Sequence, residues 1–372
     1  MKKRVLMIIV ACFLVAVFYV LWVGRPLTFD RDNSLSFTLS EDIKNILYYA
    51  SMAPSGHNTQ PWRLEYDSRN DTFKVSLDAG RALPQVDPLN RESFISVGAF
   101  LENLRQAALA FGYQPSIRVF SELEADGEIA EVTLGSKGDL PAKNELILNR
   151  ILARHTDKRK YSDKPLPEAA LETIVGKNKQ HIKYYAKGTV EYDYLARNTL
   201  EAMRVQAHDE EKRAELAHWF RFSNAEALET RDGLPAEQIG LKGPLKALFY
   251  TFYNREKAAR EEFAIEAVDR TVDQINSASG FFILTGPSDF QGVIYSGMTF
   301  ERFWLDCVAE GVSLQPMSQI LEEEPFAGRI MVDLNLDAPV QMVVRAGMNE
   351  EYGENYRVRR SIAAFTEKMK NM

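Results

Sequence analysis

Two helical segments, bracketed by glycines at the same spacing, constrain the fold of this chain more than any other feature. Gly98 and Gly112 enclose the first segment, and Gly297 and Gly311 enclose the second. Each segment carries a glutamate, an alanine and two large apolar residues in register. One duplicated unit, fused in tandem, explains this correspondence better than two unrelated domains, although two amphipathic helices can also match by chance.

Strand-like runs accompany both helical segments. Apolar and β-branched residues alternate or cluster over 73–77, 281–284 and 340–344, which is typical of strands. The sequence therefore predicts an α+β fold built from two tandem related halves. We place the first half at 38–150 and the second half at 151–372.

The chain begins with an apolar run that does not belong to either half. Three basic residues precede an unbroken apolar stretch from Val5 to Val23, which is long enough to span a bilayer as a helix. It is too long for a typical cleaved signal, and no small-x-small site follows it. We therefore predict an uncleaved signal anchor over 1–24 at a bacterial inner membrane, in preference to a lipoprotein processed at Cys12. The basic N-terminus predicts that the rest of the chain is extracytoplasmic.

Charge and composition exclude several classes of partner. A net charge of -7 and a pI near 5.5 argue against a nucleic-acid partner. The five histidines have no paired spacing, so we predict no metal site. One of the two cysteines lies in the apolar run, so the remainder of the chain has no internal disulfide framework.

A polar turn follows the first predicted helix of the first half. Pro54, Ser55 and Gly56 break that helix. Ser55, Asn58 and Gln60 then offer hydrogen-bond donors and acceptors beside a flat hydrophobic side chain. This mixture suits a planar ligand rich in heteroatoms, but an ordinary helix end with its loop has the same composition.

A basic cluster separates the two halves. The segment 154–161 holds four cations and a hydroxyl group. Such a cluster is either a solvated linker or a seat for a phosphate group, which binds guanidinium and ammonium groups through charge-assisted hydrogen bonds. A further basic group lies at 357–360. Together with the polar turn, the two clusters suggest one phosphorylated planar ligand.

These segments carry a family resemblance. The run 53–62 looks like the PSxxNxQPW signature of the FMN-dependent nitroreductase family. Arg154, Thr156 and Lys158 resemble that family's R-x-[ST]-x-[KR] phosphate motif, and 311–318 resembles its G-L-x-x-x-P segment, whose following backbone approaches the flavin N5. The resemblance extends over nearly all of residues 38 to 366.

The resemblance implies a cofactor and a reaction. FMN would carry the redox chemistry, NAD(P)H would reduce it, and a nitro compound, a quinone or a similar small acceptor would take up the electrons. No catalytic side chain is then required, and His57 is either a residue of the site or a solvent-facing turn histidine. The residues implied to bind the cofactor are Pro54, Ser55, Gly56, Asn58, Gln60, Arg154, His155, Thr156, Lys158, Pro316, Ser318, Gln319, Arg357 and Arg359.

The order of the motifs departs from that of an ordinary family member. Each half carries only one of the two motifs, so the two half-sites can meet once. This arrangement resembles the Acg-like branch, in which one chain mimics the nitroreductase dimer, with a three-layer fold in each half and a single FMN. The resemblance implies a monomer with an irregular insertion at about 231–263. A protein that holds FMN with little turnover, and a membrane-tethered scaffold that has lost flavin, stay open as alternatives. We expect Glu322 to Glu324 to form a solvated face.

Overall fold

The computed structural model describes residues 2–124, 127–138 and 144–369. Parts of the predicted segments therefore lie outside the described residues: Met1 of the anchor, 125–126 and 139–143 of the first half, and 370–372 of the second. The helices are α1 Lys2–Val23, α2 Glu41–Ala50, α3 Arg91–Ala110, α4 Glu145–Ala153, α5 Glu168–Asn178, α6 Val190–His208, α7 Glu210–Trp219, α8 Asn224–Thr230, α9 Gly243–Phe252, α10 Arg255–Ala258, α11 Glu261–Asn276, α12 Phe290–Ala309, α13 Gln319–Glu322 and α14 Phe326–Asp333. The strands are β1 Trp62–Asp67, β2 Thr72–Leu77, β3 Ser116–Val119, β4 Glu128–Thr133, β5 Ile182–Ala186, β6 Gly280–Thr285, β7 Ser313–Pro316, β8 Val340–Gly347 and β9 Thr366–Lys368.

Two sheets with the same strand order form the frame of the molecule. The first sheet has the order β3-β4-β2-β1, extended by β9, and the second has the order β7-β8-β6-β5. When β1 is matched to β5, β2 to β6, and so on in chain order, the two arrangements coincide, and these pairings are antiparallel. The α+β class and the two related halves are thus confirmed, whereas the boundaries at 150 and 151 stay predictions.

Helices α3 and α12 form the contact between the halves. Each has 20 residues, and every residue of α3 has an equivalent 199 positions later in α12. A Cβ atom on Gly98 would lie 2.1 Å from the Ile294 carbonyl oxygen, and one on Gly297 would lie 2.2 Å from the Ile95 carbonyl oxygen. Equivalent residues therefore meet across a pseudo-twofold axis, and the crossing leaves no room for a side chain at either glycine.

The hydrophobic cores interlock across this crossing. Ile294, Met298 and Leu305 of α12 belong to the core of the first half, whereas Ile95 of α3 belongs to that of the second. A fully buried side chain of this kind stabilises the fold by about 1.5–3 kcal/mol. Because each half buries side chains of the other, we expect the halves to fold as one unit.

The end of the chain returns to the first half. Strand β9 pairs in parallel with β1, with Thr366 opposite Leu64. The guanidinium of Arg360 donates hydrogen bonds to the carbonyl oxygens of Gln60 (2.6 Å) and Trp62 (2.9 Å). The segment before β9 is thereby fastened to the polar turn that the sequence singled out.

The insertion at 231–263 is largely irregular up to Lys242 and mostly helical from Gly243, so the structure departs from the expected irregular segment in its second part. It contains α9 and α10, and α11 begins at Glu261. An aromatic cluster stabilises these helices: the ring of Phe220 lies 6.2 Å from that of Phe249 and 5.5 Å from that of Phe263. Aromatic packing of this kind joins residues that are distant in the sequence, and it stabilises helices that the resemblance did not imply.

Helix α1 is the one helix in the described part of the chain that is long and apolar enough to cross a membrane, by length and composition. Its end is fixed to the insertion. The Tyr19 hydroxyl lies 3.0 Å from Thr251 Oγ1 on α9. Lys246 Nζ donates to the carbonyl oxygen of Arg25 (2.9 Å) and pairs with the buried carboxylate of Glu237. The chain therefore passes directly from the end of the helix into the folded domain, with side-chain contacts on both sides of the junction.

Candidate functional site

A cavity of about 380 Å³ lies between the two halves. The turn after α2, the segment after α4, the segment after β7 and the C-terminal tail contribute to its wall, and side chains from α6, α7, α11 and the insertion complete it. The structure brings most of the predicted site residues together in this lining: Pro54, Ser55, Gly56, Asn58, Arg154, His155, Thr156, Lys158, Pro316, Ser318, Gln319 and Arg359. Gln60 and Arg357 are absent from the lining.

The polar turn has an unusual backbone. His57, Asn58 and Gln60 have positive φ angles of 45°, 55° and 55°, a left-handed conformation that costs roughly 1–2 kcal/mol per non-glycine residue. The hydroxyl of Ser55 accepts a hydrogen bond from the Gln60 backbone nitrogen (2.9 Å), which closes the turn. Strain of this kind persists where the surroundings hold it, and it is common at ligand sites.

Asn58 holds three segments together. Its side-chain nitrogen donates to the carbonyl oxygens of Gly233 (3.0 Å) and Val358 (3.2 Å), and its side-chain oxygen accepts from Arg359 Nη1 (2.9 Å). The amide thus joins the turn to the insertion and to the C-terminal tail. Although Asn58 lines the cavity, both of its amide hydrogens are used by protein oxygens, so its first role here is to position the wall.

Two of the predicted cofactor contacts need correction. Gln60 is fully buried, donates to the carbonyl oxygen of Arg231 (3.0 Å) and accepts from the backbone nitrogen of Arg360 (2.9 Å). It is therefore a structural link behind the wall, because its polar groups satisfy backbone atoms that would otherwise be buried unpaired. Arg357 is exposed, because the chain turns at its positive φ of 51° and directs Arg359 inward instead.

Two buried guanidinium groups meet in the wall. Arg154 and Arg359 are 2 % and 6 % exposed, and their Nη2 atoms donate to the same Met52 carbonyl oxygen at 2.7 and 3.0 Å. Burial and the charge of Arg154 lower the pKa of Arg359 to about 9. Within the described part of the chain, the carboxylate paired with these groups is that of Glu301, 3.2 Å from Arg154 Nε, so positive charge is in excess at this point.

Part of the hydrogen-bonding capacity of these groups is unused. Among the described residues, Arg154 Nη1 and Arg359 Nε have no hydrogen-bond partner although both atoms are buried. Buried donors without a partner are costly. Because both nitrogens are closed off from the cavity, an anionic ligand there would interact with these guanidinium groups chiefly through their charge.

Lys158 adds a further positive charge to the cavity. Burial and the charge of Arg270 lower the pKa of Lys158 to about 8, and both residues line the cavity. Burial and the nearby Lys158 lower the pKa of His57 to about 4, so this imidazole is neutral at pH 7. The segment that resembles the R-x-[ST]-x-[KR] motif therefore contributes a cationic part of the wall.

A pair of carboxyl groups lies in another part of the wall. Burial, first, and then the nearby Glu322 raise the pKa of Glu92 to about 8, and burial raises that of Glu322 as well. The expectation that Glu322 belongs to a solvated face was wrong, because α13 turns this side chain into the cavity. The sequence has no local pattern that pairs these residues, since one begins α3 and the other ends α13.

Comparison with known proteins gives relatives of similar length. No family model matches the chain. It is 24% identical to a Mycobacterium tuberculosis protein named NAD(P)H nitroreductase acg, over 84% of this chain and 90% of that protein. It is 25% identical to the NAD(P)H nitroreductase PigM of a Serratia species, over 85% and 90%. A structure of the FMN-dependent nitroreductase NfnB from Mycobacterium smegmatis with NADPH aligns with a TM-score of 0.36 and 14% identity, over 61% of this chain and 99% of that one.

Proposed function

We propose, on the premise that this chain belongs to the nitroreductase family, that it is an oxidoreductase that binds one FMN between its halves. NAD(P)H would reduce the cofactor, and a small acceptor such as a nitro compound or a quinone would take up two electrons. Matches over 90% of the length of two relatives named as NAD(P)H nitroreductases support the class of reaction. The structure supports the number of sites, because the two motif segments border one common cavity.

One observation carries the assignment of the cofactor. The wall contains two buried guanidinium groups, of which Arg154 pairs with Glu301, beside a lysine that no carboxylate in the described part of the chain neutralises. Arg154, Lys158 and Arg359 would hold the phosphate of FMN, since charge-assisted bonds to phosphate are short and strong. The turn at 54–58 and the segment 316–319 would border the ring. Bound FMN would supply the hydride chemistry, and the chain supplies binding and orientation.

The test uses the full-length protein purified in mild detergent. Flavin released by heating should be FMN, at about one per chain, and anaerobic addition of NADH or NADPH should bleach it. Lys158→Ala should lose FMN, whereas Lys160→Ala should retain it, because Lys160 belongs to the same basic cluster but is exposed and paired with Asp273 (2.8 Å). Two flavins per chain, or equal retention by the two variants, would contradict the proposal.

A flavin-holding protein with little turnover is the second candidate. Ile239 and Phe263, from the insertion, and Leu216 and Phe220, from α7 and its end, all line the cavity. Apolar side chains that close over a flavin would hinder the approach of a nicotinamide or an acceptor. Tightly bound FMN that neither NADH nor NADPH bleaches would favour this candidate over the reductase.

The proposal includes a location at the membrane. Helix α1 would anchor the chain, and the basic residues before it would keep the N-terminus in the cytoplasm. The internal pairing of the two halves favours a monomer. A C-terminal reporter tests the orientation: alkaline phosphatase activity without green fluorescence supports an extracytoplasmic domain, and the reverse pattern overturns it.

A further inference from the structure

The carboxyl groups of Glu92 and Glu322 lie side by side in the cavity wall, one from each half. The two carboxyl groups are near enough to raise each other's electrostatic energy, and the Ser318 side chain lies beside both. Gln206 Nε2 donates to Glu322 Oε2 (2.6 Å), and Arg91 Nη2 donates to Glu92 Oε1 (3.1 Å). A Cβ atom on Gly56 would lie 3.7 Å from Glu92 Oε2, so the pair lies next to the polar turn.

Two carboxyl groups in such contact hold one proton between them. Ionisation of both would place two negative charges in a buried site, which burial and mutual repulsion oppose. Arg91 is the charged neighbour that favours ionisation, and Asp87, before α3, is an ionisable neighbour of Glu92 whose pKa is raised to about 6. Gln206 and Ser318 are neutral. The pair is therefore protonated once at pH 7 and can release that proton.

The pseudo-twofold repeat shows that the helix frame does not require a carboxyl group here. The residue of α12 equivalent to Glu92 is Gln291. Its side-chain nitrogen donates to the carbonyl oxygen of Val119 (3.0 Å), and it does not line the cavity. The acid is thus present at the copy of this position that borders the cavity and absent at the copy whose side chain bonds to Val119.

We propose that the Glu92–Glu322 pair is the proton donor to the acceptor in the reduction, an inference that rests on the proposed flavin-dependent function. A quinone would accept a hydride, with its two electrons, from the reduced cofactor and a proton from the pair. The products would be the hydroquinone, the oxidised cofactor and a doubly ionised pair, and the pair would regain its proton from the hydronium or buffer acid of the bulk solution. Electrons and protons balance without a further reactant.

This role defines the class of acceptor. Compounds that must gain a proton with the hydride, such as quinones and nitroarenes, benefit from a donor in the wall. Ferricyanide, which accepts only electrons, does not. General acid catalysis accelerates such steps by about 10²–10⁴-fold. The pair should therefore raise the turnover rate with proton-requiring acceptors, relative to that with ferricyanide, by a factor in that range.

The first test detects the proton without the reaction. Infrared spectra of the full-length protein, stripped of flavin, should contain a protonated carboxyl band that titrates near pH 8. Glu322→Gln and Glu92→Gln should each move its titration to lower pH, because the remaining carboxyl group no longer faces a second ionisable carboxyl group. Glu102→Gln should leave it, because Glu102 is buried on the same helix but is paired with Arg105 and Arg302 outside the cavity. Glu301, whose buried carboxyl group has a pKa raised to about 7, should give a separate band. A band near pH 8 that neither substitution at the pair shifts overturns the proposal.

The second test compares acceptors. After reconstitution with FMN, the ratio of quinone to ferricyanide turnover should fall about 100-fold in Glu322→Gln at pH 7 and stay unchanged in Glu102→Gln. An unchanged ratio in Glu322→Gln overturns the proton-donor role. If the proposed function fails instead, no variant takes up FMN or oxidises NAD(P)H, whereas the infrared band still reports whether the pair holds its proton.

Discussion

Replacing Gly297 by alanine should loosen the contact between the halves. The added Cβ atom would lie 2.2 Å from the carbonyl oxygen and 2.8 Å from the Cα atom of Ile95. Because these are backbone atoms, no rotamer change relieves the overlap, and the helices must separate by about 1 Å. Overpacking of this kind costs about 1–3 kcal/mol, which exceeds the gain of about 1 kcal/mol from replacing glycine within a helix.

The control is Gly176→Ala in α5, where a Cβ atom meets nothing within 4 Å. This variant should be as stable as the parent or slightly more stable, since it has the propensity gain alone. Thermal unfolding of the full-length protein should show a melting temperature for Gly297→Ala several degrees below that of the control, at about 2–4 °C per kcal/mol. FMN retention should also fall, because both halves border the cavity. If the two variants unfold alike and retain FMN equally, the close crossing does not hold the halves together.

Four further predictions concern the cavity. Arg154→Ala should lose most FMN, since removal of one partner of a buried charge pair typically costs about 2–5 kcal/mol; riboflavin affinity should change much less, and equal losses would count against a phosphate contact. FMN binding above about pH 8 should take up a proton, because Lys158 is then largely neutral in the free protein; calorimetry in buffers of different ionisation enthalpy measures this, and Lys158→Met should remove it. The free energy of unfolding should decrease as pH rises from 4.5 towards 8, because Glu92 keeps its proton in the folded chain after the unfolded chain has lost it; Glu92→Gln should flatten this slope. Asn58→Ala should weaken FMN binding less than Arg154→Ala but should speed proteolysis of the insertion, which loses the contact at Gly233; unchanged cleavage would show that the amide does not fasten this segment.

Local patterns predicted much of the frame. The glycine brackets at 98–112 and 297–311 located α3 and α12, although both helices begin several residues earlier. The strands at 73–77 and 281–284 were predicted to within about one residue, because alternation and β-branched residues are local signals. The pairing of β9 with β1 could not be predicted, since it joins residues about 300 positions apart without a pattern in either strand.

The parts of the site that belong to a sequence motif could be predicted, whereas the parts that depend on tertiary packing could not. The R-x-T-x-K segment and the polar turn both border the cavity. Gln60 was misassigned because the sequence does not show whether the side chain of a glutamine contacts a ligand or backbone atoms. Glu322 was misassigned because a run of glutamates is typical of a solvated surface, and only the tertiary fold brings it to Glu92. The spacing of residues in the sequence carries no information on such tertiary contacts between distant segments.

The offset of 199 residues between α3 and α12 also sets how mutations act on this molecule. In a symmetric dimer, one codon change alters two positions at once, so a substitution must suit both. Here each half has its own codons, and a change at Glu92 leaves Gln291 as it was. The copy of a residue that borders the cavity can retain a chemical role, while the copy in the other half can change to serve packing, to cover the cavity or to attach a neighbouring segment. The fused chain thus separates two roles that a homodimer must combine in a single residue.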